Sequence, residues 1–186
     1  MEGIAMARRV VLDLAVTLDG FIEGAHGEID WCIMDPEMDF TAFLESVDTI
    51  LFGRKSYDLW KSYVPEGEVS DLDKEMMQMI EDKEKVVFSR SKRGKEGNVT
   101  FSGYVAGTVE KLKAQGGKDL WLYGGAELIT KCVNLGLVDE YRLSVHPVVL
   151  GRGKPLFKDI EDRLDLDLQK VNRYGSGVVQ LIYGKA

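Results

Sequence analysis

Two segments of the chain join an apolar, strand-like run to glycine and then to a helix-like run. Residues 50–56 read Ile-Leu-Phe-Gly-Arg-Lys-Ser, and residues 120–127 read Leu-Trp-Leu-Tyr-Gly-Gly-Ala-Glu. A helix begins with unpaired backbone N–H groups and the positive end of its dipole, and glycine lets an anion approach them closely. Each segment therefore has the chemistry of a phosphate or pyrophosphate site, although either could instead be an ordinary turn.

Basic residues follow two of the strand ends. Arg54 and Lys55 follow the first strand, together with the hydroxyl of Ser56. Ser89 and the basic residues Arg90, Lys92, Arg93 and Lys95 follow at the end of the strand over residues 85–89. Ligands of open α/β sheets bind outside the carboxyl ends of strands. These two basic ends and the Gly124-Gly125 end could therefore together hold one dinucleotide with an extra phosphate. The run over residues 90–95 could instead be a solvated loop. Neither glycine segment matches a Walker A loop or G-x-G-x-x-G, so an ordinary Rossmann site is not indicated.

The apolar pattern predicts the elements that would position these residues. Strands are expected over residues 9–15, 49–52, 85–89, 119–123 and 140–150, helices over residues 36–47, 55–63, 70–82, 108–115 and 126–135, and a closing hairpin over residues 166–174 and 178–183. Asp35 is the expected N-cap of the first helix. Strands that alternate with helices and end in a hairpin predict an α/β sandwich with a mixed, mostly parallel sheet and an antiparallel C-terminal hairpin.

Composition narrows the class of protein. The chain has 186 residues, of which 45% are hydrophobic, and this length favours one domain. A formal net charge of −7 argues against a nucleic-acid partner. No apolar run is long enough for a membrane span, and Cys32 and Cys132 are too far apart to form a C-x-x-C motif. We therefore expect a reduced, cytoplasmic protein, and with only His26 and His146 as histidines we expect no metal centre.

Five stretches carry a resemblance to a known family. They are residues 15–22 (Ala-Val-Thr-Leu-Asp-Gly-Phe-Ile), 48–57 (Asp-Thr-Ile-Leu-Phe-Gly-Arg-Lys-Ser-Tyr), 86–90 (Val-Val-Phe-Ser-Arg), 122–128 (Leu-Tyr-Gly-Gly-Ala-Glu-Leu) and 137–153, which begins Leu-Val-Asp-Glu-Tyr. On them the chain resembles the dihydrofolate reductase-like superfamily, and within it the C-terminal reductase domain of the bifunctional riboflavin-biosynthesis protein. The resemblance implies one domain over residues 8–184, a three-layer α/β/α sandwich and, as is common among stand-alone members, a homodimer.

The same resemblance implies an NADPH site and assigns residues to it. Gly53, Arg54, Lys55 and Ser56 look like the family's loop for the pyrophosphate and the 2′-phosphate, and Ser89 and Arg90 look like its contacts at the adenosine end. Tyr123, Gly124, Gly125, Ala126 and Glu127 look like its second pyrophosphate loop, and Ala15, Val16 and Gly20 look like its nicotinamide-side wall. The implied activity is hydride transfer from NADPH to a pteridine, pyrimidine or similar small heterocycle.

The substrate and the proton donor stay open. No H-x-E followed by P-C-x-x-C occurs, so the zinc deaminase half is missing from this sequence, and residues 53–57 are closer to the Gly-Arg-x-Thr-Trp pattern of dihydrofolate reductase than to the riboflavin reductases. Asp39 is the first candidate to relay a proton or hold the substrate ring, and Asp19 is the second. The alternatives are a non-catalytic NADPH-binding module of the same fold and a structural protein whose glycines are only turns.

Other residues also admit two interpretations. Trp31 and Trp60 could line a pocket or pack the core, and His146 is more typical of a hydrogen-bonded structural histidine than of a base. Arg152 and Lys154 could meet a substrate phosphate or lie in a solvated loop.

Overall fold

The computed structural model describes residues 7–38, 40–65 and 68–186. Its strands are β1 (Val10–Thr17), β2 (Phe21–Glu23), β3 (Val47–Gly53), β4 (Glu84–Phe88), β5 (Gly94–Glu96), β6 (Val99–Ser102), β7 (Asp119–Gly124), β8 (Glu140–His146), β9 (Lys154–Pro155), β10 (Leu166–Arg173) and β11 (Val179–Lys185). Its helices are α1 (Phe40–Ser46), α2 (Arg54–Ser62), α3 (Asp71–Asp82), α4 (Val105–Lys113) and α5 (Ala126–Asn134).

One large sheet runs through the described residues in the order β10-β11-β8-β1-β7-β3-β4-β6-β5. Strands β8, β1, β7, β3, β4 and β6 are parallel, whereas β10 and β11 form an antiparallel hairpin that joins β8. The predicted mixed, mostly parallel sheet with a C-terminal hairpin is therefore confirmed. Parallel strands are usually covered on both faces, which explains why β1, β3, β4 and β7 read as nearly continuous apolar runs.

Helices cover both faces of the sheet, which confirms the three-layer α/β/α arrangement. Helices α4 and α5 pack Val109, Ile129 and Cys132 against one face, together with Leu12 and Leu122. Helices α1, α2 and α3 cover the other face with a set of larger side chains, namely Phe43, Leu44, Tyr57, Met76 and Ile80, beside Phe52 and Trp121. The methionines of α3 thus belong to the core packing. Within the described ranges, no helix has both the length and the apolar character needed to cross a bilayer.

Two predicted elements are shorter than the sequence pattern indicated. The first helix was expected over residues 36–47, but residues 36–38 form a turn and Val47 already begins β3. Asp35 does not cap that helix: its carboxylate accepts the N–H of Glu37 at 2.8 Å and the N–H of Ser176 at 3.3 Å, which fastens this turn to the C-terminal hairpin. The strand expected over residues 140–150 ends at His146, because the chain turns back at the following proline.

The pattern also missed four short strands. Strand β5 pairs antiparallel with β6 and gives the sheet a second antiparallel edge, and β2 pairs with β9 in a separate two-stranded sheet. Strand β5 reads Gly-Lys-Glu, and its three residues are exposed. So polar a segment carries no alternation of buried and exposed residues, and its pairing depends on neighbours that the local sequence does not reveal.

We expect the central strand β7 to carry a large share of the stability. Leu122 is fully buried between Leu12 of β1 and Leu51 of β3, so Leu122→Ala should lower the free energy of unfolding by about 3 kcal/mol. The matched control Leu59→Ala removes the same atoms from an exposed position on α2 and should change it by less than about 0.5 kcal/mol. Urea unfolding measures both variants, and equal losses would contradict this assignment of the core.

Candidate functional site

The three strand ends that the sequence singled out lie side by side. Strand β3 has β7 on one side and β4 on the other, with Phe52 opposite Gly124 and Gly53 opposite Phe88. Strand β1 lies on the far side of β7 and adds Ala15 to the same edge of the sheet. The carboxyl ends of four neighbouring parallel strands thus form one continuous row, where ligands of open α/β sheets bind.

The two glycine turns touch each other through their backbones. A β-carbon on Gly53 would lie 3.0 Å from the backbone nitrogen of Gly125, and one on Gly125 would lie 2.8 Å from Ser56 Oγ. Gly124 has a φ of +143°, a region that side chains other than glycine rarely adopt, and the Gly124–Gly125 peptide bond is cis. The close approach to backbone therefore favours glycine at position 53, and the positive φ favours it at position 124.

Both turns lead into helices whose first N–H groups receive no side-chain cap. Gly53 precedes α2 and Gly125 precedes α5, and neither N-cap position offers a hydrogen bond from a side chain. The first turn of α2 contains no acidic residue, and that of α5 contains Glu127. Two helix starts at adjacent strand ends offer two sets of N–H donors and two positive dipole ends, which suits a diphosphate.

Positive side chains flank this pair of helix starts. Arg54 forms an ion pair with Asp58 at 2.8 Å on the surface of α2, and Lys55 beside it is exposed. Arg90, just past β4, lies 3.3 Å from Glu127 of α5, and the two side chains are 95% and 89% exposed. Exposed ion pairs contribute little to stability, so a phosphate could take the place of either carboxylate at small cost.

The rest of the basic run contacts neighbouring protein groups. Lys92 pairs with Glu96 at 2.8 Å and stands 4.1 Å over the ring of Phe101, and Lys95 pairs with Glu84 at 3.3 Å. Arg93 donates hydrogen bonds to the carbonyls of Ser89 and Lys92 at 2.7 Å. The contacts of Lys92, Arg93 and Lys95 are therefore structural, and Arg90 is the member of the run that is best placed to contact a ligand.

Ser89 is buried and Tyr123 is half-buried, and both side chains contact other protein groups. The Ser89 hydroxyl accepts the N–H groups of Ser91 and Lys92 at 3.3 and 3.1 Å, so it shapes the turn that presents Arg90. The Tyr123 ring lies 4.6 Å from that of Phe52, and burial raises the pKa of its phenol. Both residues lie at the predicted edge, and their contacts here serve the geometry of the site.

Asp19 and Asp39 were the predicted proton donors. The Asp19 carboxylate accepts hydrogen bonds from the Thr17 hydroxyl at 2.6 Å and from the N–H groups of Gly151 at 2.7 Å and Leu150 at 3.2 Å. The bond from Thr17 is the main reason that its pKa lies below the ordinary value. Such a carboxylate stays ionised and holds a loop in place, which opposes a role in proton donation. Asp39 lies outside the described residues.

A second carboxylate of β1 has the opposite environment. Asp13 lies opposite Arg142 of β8 with 10% of its side chain exposed, and Arg142 Nε lies 2.9 Å from Asp13 Oδ2. Burial raises the pKa of Asp13 to about 6, Arg142 lowers it, and Glu140 adds a smaller increase. The sequence held a signal for this residue, since one aspartate interrupts the apolar run Val-Val-Leu-Asp-Leu-Ala-Val. Its meaning depends on a partner far along the chain.

Asp13 lies in a cavity of about 250 Å³ between α1 and the strands β8, β10 and β11. The walls include Phe40 and Phe43 on the helix side and Lys170, Asn172, Tyr174 and Gln180 on the strand side. A larger, more open cleft of about 440 Å³ lies at the other end of the sheet, against Val47, Asp48 and Gly117, where β3 begins. That cleft is remote from both glycine turns, so the smaller cavity is the better candidate for a site that continues the row of strand ends.

The remaining candidates have structural contacts. His146 is buried, and its ring nitrogens lie 2.9 Å from the Ser144 carbonyl and 3.4 Å from the Ile33 carbonyl, while Trp31 packs edge-on against it at 5.3 Å. Trp60 packs beside Phe52 in the aromatic cluster. Lys154 forms an ion pair with Glu23 across the small sheet, whereas Arg152 is exposed.

Fold and geometry together define an α/β/α protein with a candidate ligand site along the carboxyl ends of its parallel strands. The chain belongs to the RibD C-terminal domain family, whose model matches residues 8–180. It is 56% identical over 177 residues to the uncharacterized protein YyaP of Bacillus subtilis strain 168, covering 95% of this chain and 94% of YyaP. The fold is that of the dihydrofolate reductase-like superfamily, as the resemblance implied.

Solved structures support the fold. A protein of Shewanella sp. PV-4 named for riboflavin biosynthesis superposes with a TM-score of 0.76 at 24% identity, over 96% of this chain and 99% of that one. The diaminohydroxyphosphoribosylaminopyrimidine deaminase/5-amino-6-(5-phosphoribosylamino)uracil reductase of Thermotoga maritima gives 0.67 at 15% identity. It covers 97% of this chain, and this chain covers 57% of that larger protein.

The contact between the glycine turns can be tested by stability. Gly53→Ala would force its β-carbon against the backbone of Gly125, and we expect a loss of about 1–3 kcal/mol in the free energy of unfolding. Gly116→Ala is the matched control, because a β-carbon there meets nothing within 4 Å and the backbone has no positive φ. Urea unfolding compares the two variants, and a neutral Gly53→Ala would show that the turns do not depend on this contact.

Proposed function

We propose that the protein is an NADPH-dependent reductase that transfers a hydride to a pteridine, pyrimidine or similar small heterocycle. The observation that carries this proposal is the pair of uncapped, glycine-started helices at the adjacent ends of β3 and β7, flanked by exposed basic side chains. Family membership supports the reaction class, because the Thermotoga neighbour is named as a deaminase and uracil reductase, and this chain covers 57% of it.

The residues present fit the dinucleotide. Gly53 and Gly125 place no side chain beside the first N–H groups of α2 and α5, and these groups would hold the diphosphate. Arg54, Lys55 and Arg90 would bind the 2′-phosphate, since charge-assisted contacts to phosphate are the strong ones. Ala15 would face the nicotinamide. NADPH, when bound, supplies the hydride, and the protein supplies position and electrostatics.

The chain's own residues would keep the reacting end dry and oriented. Tyr123, Trp121 and Phe52 form a packed aromatic cluster on the face of the sheet that also carries Ala15 and Asp13. Asp19 fixes the loop over residues 148–151 against the end of β1 through its three hydrogen bonds. A rigid, apolar surround of this kind strengthens electrostatic interactions with a bound substrate, because water is excluded.

Nucleotide titration is the first test of the proposed function. We expect micromolar binding of NADPH and at least about tenfold weaker binding of NADH, a difference of about 1.4 kcal/mol that the extra phosphate contacts would supply. Nucleotide fluorescence or calorimetry measures both affinities. Binding without oxidation of NADPH by dihydrofolate or by 5-amino-6-(5-phosphoribosylamino)uracil would favour the non-catalytic module, and no binding of either nucleotide would rule out both.

Charge variants separate the phosphate site from the surrounding surface charge. Arg54→Glu and Arg90→Gln should weaken NADPH binding more than NADH binding, by about tenfold for Arg90→Gln, because each loses a contact to the phosphate that NADH lacks. Lys95→Gln is the matched control, since Lys95 pairs with Glu84 at the start of β4 and its substitution should leave both affinities unchanged. Equal effects of the three variants on the two nucleotides would refute the assignment of the 2′-phosphate site.

A further inference from the structure

We propose that Asp13 is the catalytic acid of this reductase: it lines the cavity between α1 and the C-terminal hairpin, contacts a planar heterocycle that carries an anionic substituent, and protonates the nitrogen of the C=N bond that is reduced. This inference rests on the proposed function and names the proton donor that the sequence left open. It also narrows the substrate to a flat heterocycle with an anionic substituent.

The position of Asp13 on β1 is the first argument. Successive side chains of a strand alternate between its two faces, so Asp13 and Ala15 lie on the same face, about 7 Å apart along the strand. Ala15 lies at the end of β1 where the nicotinamide is expected. A ring bound in the cavity would therefore lie on the same face of the sheet as both the Asp13 carboxyl group and the expected position of the nicotinamide.

The walls of the cavity suit a flat, partly polar molecule. Phe40 and Phe43 provide an apolar wall on the helix side. On the strand side, Asn172 donates to Gln180 Oε1 at 2.9 Å, and Gln180 Nε2 lies 3.5 Å from Ser144 Oγ, which holds these amides in fixed orientations. A volume of about 250 Å³ suits one ring or a fused pair rather than a large ligand.

The net charge of the side chains that line the cavity is opposite in sign to the net charge of the whole chain. Arg142 and Lys170 face a single buried carboxylate, Asp13, so the lining is net positive in a chain of net charge −7. Lys170 lies at an exposed position of β10, at the entrance side of the cavity. An anionic substituent on the substrate would pair with it while the ring contacts Asp13.

The Asp13–Arg142 pair is incomplete as a structural ion pair. Arg142 Nε is 2.9 Å from Asp13 Oδ2, close enough for an ion pair, but this buried nitrogen makes no hydrogen bond of good geometry among the described residues. Its other near carboxylate, Glu140, is 3.8 Å away, and its guanidinium stacks 5.0 Å from the Phe43 ring. An ion pair kept for stability is normally well aligned and fully hydrogen-bonded, so the poor alignment of this pair leaves donor and acceptor capacity that a ligand in the cavity would use.

The proposed step balances as follows. Reduction of a C=N bond breaks its π bond; the carbon receives the hydride supplied by NADPH, and the nitrogen receives the proton that leaves Asp13. NADPH is oxidised to NADP⁺, and the new Asp13 carboxylate is stabilised by Arg142 until it regains a proton from water. The titratable groups around Asp13 are Arg142 and Glu140 of β8, Lys170 of β10, and Tyr174 with Asp35 near it, whereas the lining part of α1 supplies none.

Asp13→Asn is the central experiment, with 5-amino-6-(5-phosphoribosylamino)uracil and dihydrofolate as the probes. We expect NADPH binding to be unchanged and kcat for the reduced probe to fall by about 100-fold or more, which is the usual contribution of a general acid. In the wild type kcat should fall as pH rises through about 6, because Asp13 loses its proton there, and this limb should vanish in the variant. Carbon NMR of labelled aspartate should show one carboxyl titrating near pH 6 that shifts when a probe is added without cofactor.

Two further variants keep the test independent of folding. Asp13→Asn leaves Arg142 buried without its partner, so Asp13→Asn/Arg142→Met removes both charges and should fold while remaining inactive. Lys170→Gln should raise KM for the anionic probe about tenfold and leave kcat unchanged. Asp162→Asn, an exposed carboxylate elsewhere, is the control and should change neither value.

The outcomes separate the two proposals. If the wild type fails to bind NADPH, the proposed function itself fails. If NADPH binds, the inference is overturned by an Asp13→Asn variant that keeps its kcat and pH profile. It is equally overturned if neither probe binds the wild type with or without NADPH, or if a bound probe leaves the Asp13 carboxyl signal unmoved.

Discussion

The whole site depends on one backbone contact, the approach of Gly53 to Gly124 and Gly125 at the ends of β3 and β7. Two strands of a parallel sheet can end in such contact only if neither turn carries a side chain there. The contact also lies where the chain's connections diverge: β3 continues through α2 on one face toward β4, and β7 continues through α5 on the opposite face toward β8. Divergence of this kind opens a crevice at the carboxyl ends of the two strands, which is the general location of ligands in open sheets.

The sequence predicts correctly those elements whose formation depends on residues close together in the chain. The strand–glycine–helix units, the buried parallel strands and the C-terminal hairpin each depend on residues close together in the chain, and the structure confirms them. The errors arise where distant residues decide. The helix expected over residues 36–47 starts late because Asp35 is held by Ser176 of the hairpin, and β5 is a strand only because β6 folds back against it. The cofactor, the homodimer and the cytoplasmic location stay predictions.

The proposed proton donor, Asp13, was missed for the same reason. Local reasoning favours acids in loops and first helical turns, such as Asp19 and Asp39, because these positions are exposed to ligands. Asp13 lies in the middle of a buried strand, and its environment exists only once β1 is in register with β8 and the hairpin β10–β11 has closed the cavity. A shift of one residue in that register would place it on the opposite face, so no pattern within β1 alone could reveal its partner.

The two carboxylates of the β1 segment show how environment assigns different roles to one residue type. Asp19 accepts three hydrogen bonds, which lower its pKa, so its contribution to stability is present above the ordinary pKa of an aspartate and is lost as pH falls through the lower, folded value. Asp13 is desolvated, which raises its pKa from 3.8 to about 6, so the unfolded chain releases this proton first and stability falls as pH rises through that window. A reductase needs a group that keeps its proton until the hydride arrives, and a fold that destabilises the charged form of Asp13 while stabilising that of Asp19 separates the proposed acid from the structural anchor.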